Sequence, residues 1–331
     1  MDNPARHRTV GLVGLGVIGR VHLDVLTADP RVTLAFVADP RAGTHPESAR
    51  RDTCGHYKDL SAALSAVESG EMPAPDVVVL ATPTTTHLDL ASDVLDRTTS
   101  TVLSEKPLTG DAERLRAFER RHRGAASRVH VVNHFAFSPE VEWAARLVDA
   151  RGWGSPSTVL STFNDPYVTK SSADRSTYVS SWIDSGPNQL GLLARFLSGC
   201  DVRSHSAYDD GTRSITEISY VGGSGILSSN WHTGDSSKQT SLRWPGGREL
   251  LLDHTAMTGL AVDAGRPAAH FGHDGLVDRK TAHYAAMYDA YLVEPDSDVF
   301  SLSFARSTAA LLHQATTSAP AGGAIAWEPQ P

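Results

Sequence analysis

Gly14-Leu15-Gly16-Val17-Ile18-Gly19 spells G-x-G-x-x-G between an apolar run, Thr9 to Val13, and a helical pattern over Val17 to Leu26. In that setting each glycine has its own task. Gly14 permits a tight turn, Gly16 lets the backbone approach a pyrophosphate, and Gly19 lets helix and strand pack closely. The helix start at Val17 and Ile18 offers backbone N–H groups to the anion. Asp39 ends the next apolar run, Val32 to Ala38, 20 residues beyond Gly19. A carboxylate there accepts hydrogen bonds from adenosine ribose hydroxyls, which favours NAD. Arg41 carries a guanidinium that suits a 2′-phosphate, so NADP stays open.

Two further segments end strand-like runs. One is Ala81 to His87, which contributes Thr82, Pro83 and His87; the other is Glu105-Lys106-Pro107. In an open parallel sheet, ligands bind beyond the carboxyl ends of the strands. A lysine at that edge stabilises a developing alkoxide or polarises a carbonyl. Pro107 bars Lys106 from helical angles and so directs it, while Glu105 can orient the loop. Outside this setting Lys106 would read as an ordinary surface lysine.

The elements that must position these residues alternate in the first half. Strands are expected at Thr9 to Val13, Val32 to Ala38, Asp76 to Ala81, Thr101 to Ser104 and Arg128 to Val132. Helices are expected at Val17 to Leu26, Leu60 to Val67, His87 to Leu95 and Asp111 to Arg123. Such alternation predicts a doubly wound parallel sheet. The second half opens with a helix over Pro139 to Val148. It continues with strand-like runs at Thr158 to Phe163, Ser214 to Val221, Gly225 to Trp231, Gln239 to Trp244 and Arg248 to Leu252. Helices near Ile183 to Leu197 and Thr281 to Val293 accompany them, which suggests a mainly antiparallel sheet. The change of character divides the chain into a dinucleotide-binding part, 1–133, and a substrate-binding and oligomerisation part, 134–331.

Composition narrows the classes. Two cysteines among 331 residues give neither a disulfide framework nor a metal cluster, and they fit a reducing, cytoplasmic setting. The net charge of −8 argues against general nucleic-acid affinity. No apolar run is long enough to span a bilayer, and Met1 to Arg8 shows no leader-like apolar stretch. The basic stretch Arg114 to Arg123 is interleaved with Glu113 and Glu119 and reads as a solvated helix face.

Taken together, the glycine fingerprint, the Ala81 to His87 loop, Glu105-Lys106-Pro107 and the passage from Asn133 through Pro139 to Gly152-Trp153-Gly154 resemble the Gfo/Idh/MocA family, the relatives of glucose–fructose oxidoreductase and inositol dehydrogenase. The resemblance implies an N-terminal Rossmann domain and a C-terminal α/β domain with a large open sheet. It also implies an active site between the two, often a cis Lys-Pro peptide, and a homodimer or homotetramer built through the sheet. The family's second catalytic segment maps onto Trp182 to Gln189, with Asp184 and Asn188 in the places of its Asp and His. Gly191 stands where a further Asp is common. The D-x-G-x-N arrangement is similar to the family's aldose 1-dehydrogenases. By that likeness Lys106 and Asp184 handle the proton, either of them serving as base, and Asn188 positions substrate, since an amide does not titrate.

His134, Tyr167, Tyr178, Trp182, Trp231 and His232 are weaker candidates for the substrate pocket, since aromatics are more often core than ligand contacts. No metal spacing is visible among the fifteen histidines. The expected function is an NAD(P)-dependent oxidoreductase of a sugar or sugar-like polyol, working by aldose or cyclitol oxidation or by keto-sugar reduction. A non-catalytic dinucleotide-binding regulator of the same family, and an imine reductase, are the alternatives.

Overall fold

A computed structural model describes residues 7–41, 54–170, 178–197 and 199–317. The first sheet consists of β1 (Arg8–Val13), β2 (Val32–Ala38), β3 (Gly55–Tyr57), β4 (Val77–Leu80), β5 (Thr101–Ser104) and β6 (Val129–Val131). All are parallel, in the order β3-β2-β1-β4-β5-β6. The helices between them are α1 (Val17–Ala28), α2 (Leu60–Glu68), α3 (His87–Arg97) and α4 (Ala112–Arg121). Every residue of β4 is buried, as a central strand covered on both faces demands. Asp59 and Asp111 cap α2 and α4 by accepting from first-turn N–H groups. The strand order reverses direction between β1 and β4, which opens a crevice above their carboxyl ends.

The second sheet has eight strands: β7 (Thr158–Asn164), β8 (Arg203–Asp209), β9 (Arg213–Tyr220), β10 (Gly223–Asn230), β11 (Ser237–Trp244), β12 (Arg248–Asp253), β13 (Thr258–Asp263) and β14 (Arg266–Gly272). Their order is β14-β13-β12-β11-β7-β10-β9-β8. The sheet is antiparallel except where β7 runs beside β10. Strict alternation along β9 turns one face inward and leaves the other open. The inner face packs on α5 (Pro139–Arg151) and α6 (Ser181–Leu193) in a core that includes Trp153, Phe163, Trp182 and Leu190.

The last two helices return to the first sheet. Met287, Tyr288, Tyr291 and Leu292 of α7 (Arg279–Val293) share a core with β1 and α1. Leu302, Ala305 and Ala309 of α8 (Leu302–Thr317) pack with β4, β5 and β6. Four strands and one helix go beyond the sequence expectation. β3 has only three residues. β8 and the edge strand β14 lack clean apolar alternation, and β14 carries Pro267. β13 alternates, but Gly259 interrupts it, and a side chain there would strike the Trp143 ring. The helical spacing of Leu302, Ala305, Ala309 and Leu312 was the available signal for α8.

Candidate active site

Three turns meet at the carboxyl edge of the parallel sheet. Each extends its strand by one ladder bond: Gly14 N–H donates to Ala38 O, Ala81 N–H to Val13 O and Glu105 N–H to Leu80 O, all at 2.8 Å. Gly14 has φ +92°, and a Cβ there would lie 2.7 Å from Ala81 O. A Cβ on Gly19 would lie 1.9 Å from Gly14 O. A Cβ on Gly16 would meet nothing within 4 Å. α1 starts at Val17 with no side-chain cap and no acidic residue in its first turn, and Val17 is 69% exposed. This open backbone, with the helix's positive end behind it, fits a dinucleotide pyrophosphate.

Asp39 stands against this turn at the end of β2. It is buried, and its Oδ2 accepts from Leu15 N–H at 2.6 Å. Its Oδ1 accepts from Arg41 N–H at 2.8 Å and Arg41 Nε at 3.2 Å. Burial pushes its pKa up, but these donors outweigh it and hold the carboxyl below its usual range. The Arg41 side chain is two-thirds exposed and leans on Asp39.

The second turn is fastened to the third. His87 is buried, with Nδ1 2.9 Å from Pro107 O and Nε2 2.8 Å from Thr82 O. Each ring nitrogen faces a backbone carbonyl, and the neutral ring that burial favours donates to one of them, so His87 holds the Thr82-Pro83 loop beside the cis Lys106-Pro107 peptide. Thr82 Oγ1 accepts from Thr86 Oγ1 at 2.8 Å.

Lys106 projects from β5 to α6. Its Nζ lies 2.9 Å from both Asp184 Oδ1 and Asp184 O, and both side chains are largely buried. Burial alone would lower the lysine's pKa; Asp184 and then Glu105 reverse this and raise it. Glu105 lies beneath. Its Oε1 contacts His22 Nε2 at 3.0 Å and accepts from Tyr284 Oη at 2.6 Å, while its Oε2 accepts from Lys106 N–H at 3.1 Å. Burial pushes Glu105 up, but His22, Tyr284 and Lys106 hold it below its normal value. Glu105 is therefore a buried anionic support for the lysine turn.

Asn188 lies one turn beyond Asp184, with its Nδ2 at 3.5 Å from Asp184 O and its buried Oδ1 without a hydrogen-bond partner among the described residues. At Gly191 a Cβ would come within 3.3 Å of Asn133 Oδ1. His134 stacks on Tyr284 at 4.6 Å, and burial keeps it neutral. Tyr178 stands 4.7 Å from Tyr167, and Tyr167 stands 5.6 Å from the buried Trp231. Trp182 belongs to the core instead: it is 1% exposed, donates to Leu312 O at 3.3 Å and packs where a side chain on Gly186 would collide with it. His232 is exposed and bonds Thr212 Oγ1 at 2.8 Å.

Sequence reasoning missed several neighbours. Lys238, on β11, is buried with its Nζ 2.5 Å from Asp165 Oδ1; burial, offset only in part by Asp165, lowers its pKa. Arg279, at the start of α7, faces the Phe135 ring. His22, on α1, holds Glu105. These residues come from distant segments and carry no local spacing signal. Among the described residues no group of His, Cys, Asp or Glu could hold a metal, and no helix is long and apolar enough to cross a membrane.

Comparison with known proteins agrees with this arrangement. The chain is 36% identical over 108 residues to the rhizopine catabolism protein MocA of Rhizobium meliloti, covering 32% of this chain and 31% of that one. It is 30% identical over 156 residues to the inositol 2-dehydrogenase of Rhizobium meliloti strain 1021, covering 47% of this chain and 45% of that one. The matches thus span less than half of either relative. The fold matches a UDP-N-acetylglucosamine 3-dehydrogenase from Acidithiobacillus ferrooxidans with a TM-score of 0.74 at 20% identity, over 94% of this chain and 97% of that one. Residues 8–132 match the oxidoreductase family with an NAD-binding Rossmann fold. Over that domain the chain is similar to the Gfo/Idh/MocA oxidoreductases.

Proposed function

We propose that this protein is an NAD-dependent oxidoreductase that acts on a CH–OH carbon of a sugar or sugar-like polyol, or on the corresponding ketone. The observation that carries the reading is the Lys106–Asp184 pair, 2.9 Å apart at the sheet edge beside the open glycine turn. On this reading residues 1–133 take the dinucleotide, and residues 134–331 take the substrate and build the assembly. The turn at Gly14, Gly16 and Gly19, with the first N–H groups of α1, holds the pyrophosphate. Asp39 takes the ribose, and its negative charge favours NAD over a 2′-phosphate. When bound, NAD supplies the hydride acceptor or donor.

The chain's own residues handle the oxygen and its proton. With its pKa raised, Lys106 holds a proton on Nζ at neutral pH. The ammonium donates its proton to the substrate oxygen in the reductive direction; in the oxidative one it stabilises the developing alkoxide while the hydroxyl proton passes to the Asp184 carboxylate. Asp184 orients Nζ through its Oδ1. Asn188 supports a hydroxyl through its Oδ1, which has no hydrogen-bond partner among the described residues. Turnover of NAD or NADP over a panel of sugars, polyols and their keto forms tests the reading. Tight dinucleotide binding without turnover would return the chain to the non-catalytic regulator.

The open face of the second sheet supports self-association. Ile226, Leu160 and Leu251 are about 40% exposed and lie in one transverse row, with Ser241 between the last two. A dimer or tetramer through this face, in the cytoplasm, completes the proposal, and light scattering of the purified protein checks the assembly.

A further inference from the structure

The cleft carries more positive charge than a proton transfer uses. Lys106 is matched by Asp184 and Lys238 by Asp165. Lys170, Arg279 and Lys280 have no carboxylate within ion-pair distance among the described residues, although all three are half-buried. Lys170 rests on aromatic faces: its Nζ is 3.5 Å from the Tyr167 ring centroid and 3.3 Å from Tyr178 Oη. The guanidinium carbon of Arg279 lies 5.8 Å from the Phe135 ring centroid. Phe135 adjoins His134, whose stacking partner Tyr284 supports Glu105 under Lys106. Arg279 is also in electrostatic reach of Tyr167 and Lys238, and Lys280 is in reach of both Arg279 and Lys170.

Holding these cations together costs the fold. Burial lowers the Lys280 pKa, and repulsion from Arg279 and Lys170 lowers it further. Arg279 and Lys280 also open α7, whose first N–H groups already donate to the N-cap Asp278, and Asp165 and Asp278 offset the repulsion at Lys280 only in part. One neighbouring donor is idle as well. Trp231 is 3% exposed, its ring lies 5.6 Å from Tyr167, and its Nε1–H has no acceptor among the described residues. Repelling cations and a buried unpaired N–H call for the same complement, the oxygens of an anion.

We propose that Arg279, with Lys170 and Lys280, forms a substrate subsite for an anionic group, a carboxylate or phosphoryl carried on the sugar. The inference rests on the redox reading only in treating the ligand of the cleft as substrate. It is tested by equilibrium binding to the NAD-loaded protein, with turnover read separately. The probes are galacturonate, galactose 6-phosphate and neutral galactose, and the glucose series in parallel.

The expected result is an affinity for one anionic class at least about tenfold above its neutral parent, weakening as salt rises. The carboxylate and phosphoryl arms say which group the subsite takes. Arg279→Gln and, separately, Lys280→Gln remove that preference without changing affinity for the neutral sugar, and Arg279→Lys keeps part of it. Equal affinity for charged and neutral sugars, or equal losses for both in Arg279→Gln, overturns the proposal. Arg279-dependent anion binding with no turnover of any probe keeps the subsite and ends the redox reading. Turnover of neutral sugars with no gain from an anionic group does the reverse.

Discussion

Lys106 Nζ and Asp184 Oδ1 lie 2.9 Å apart across 78 residues of chain, and the same ammonium reaches the Asp184 main-chain oxygen. The contact links the last turn of the parallel sheet to the helix that covers the antiparallel one. A buried ion pair costs desolvation and is weak evidence for stability, so its place in a cleft points to chemistry. Lys106→Ala is expected to lower turnover by about 10²–10⁴-fold while NAD affinity, read by fluorescence titration, stays within a few-fold. Because Asp184 raises the lysine's pKa, Asp184→Asn is expected to move the lysine limb of the pH–rate profile to lower pH. An unmoved limb would assign that limb to another group.

The glycine turn makes a paired prediction. Gly19→Ala forces a Cβ onto the Gly14 carbonyl and should destabilise the protein by about 2 kcal/mol or more, seen as a lower Tm. Gly16→Ala adds a methyl where nothing lies within 4 Å. Its Tm should match the wild type, while its affinity for NAD falls by about tenfold or more because the methyl takes the pyrophosphate's room. Equal NAD affinity in both proteins would sink the assignment of that turn.

Glu105 is buried and meets His22, Tyr284 and the Lys106 amide. Glu105→Gln removes the charge that these donors compensate. A loss of about 1–3 kcal/mol in denaturant unfolding is expected, with turnover reduced by displacement of Lys106. The depressed pKa places the stabilisation of Glu105 above the unfolded carboxyl value of about 4.3, and it is lost as pH falls below that.

His283 is fully buried beside His134, with neither ring nitrogen hydrogen-bonded among the described residues and Nε2 3.9 Å from Glu140 Oε2, and burial outweighs Glu140 and pushes it down to about 3. Its unfolded value is about 6.5, so on acidification the unfolded chain takes up the proton first. The stabilisation is complete above that value and is lost as pH falls toward 3. Thermal melts between pH 8 and pH 5 should fall less steeply for His283→Phe than for the wild type. Parallel curves would show that this ring does not govern the acid limb.

The two sheets were legible because their causes are local. Buried parallel strands read as apolar runs such as Val77–Leu80, and the open sheet reads as alternation such as Arg213–Tyr220. G-x-G-x-x-G was legible because each glycine answers to a backbone demand within one turn. Edge strand β14 was not, because its residues face solvent on most sides and carry little pattern. Asp184 and Asn188 came from resemblance, since an Asp in a first helical turn is ordinarily a local capping aid.

What the sequence by itself determined is the dinucleotide turn, the parallel sheet behind it and the placement of Lys106 at that sheet's edge. Only the tertiary structure decided that the His87 nitrogens face backbone carbonyls, that Trp182 is core, and that Lys238 pairs with Asp165 within reach of Asp184 and Arg279. The physical reason is range. Strand and turn preferences act over a few residues, whereas charge and burial are set by whatever the fold brings within a few ångströms.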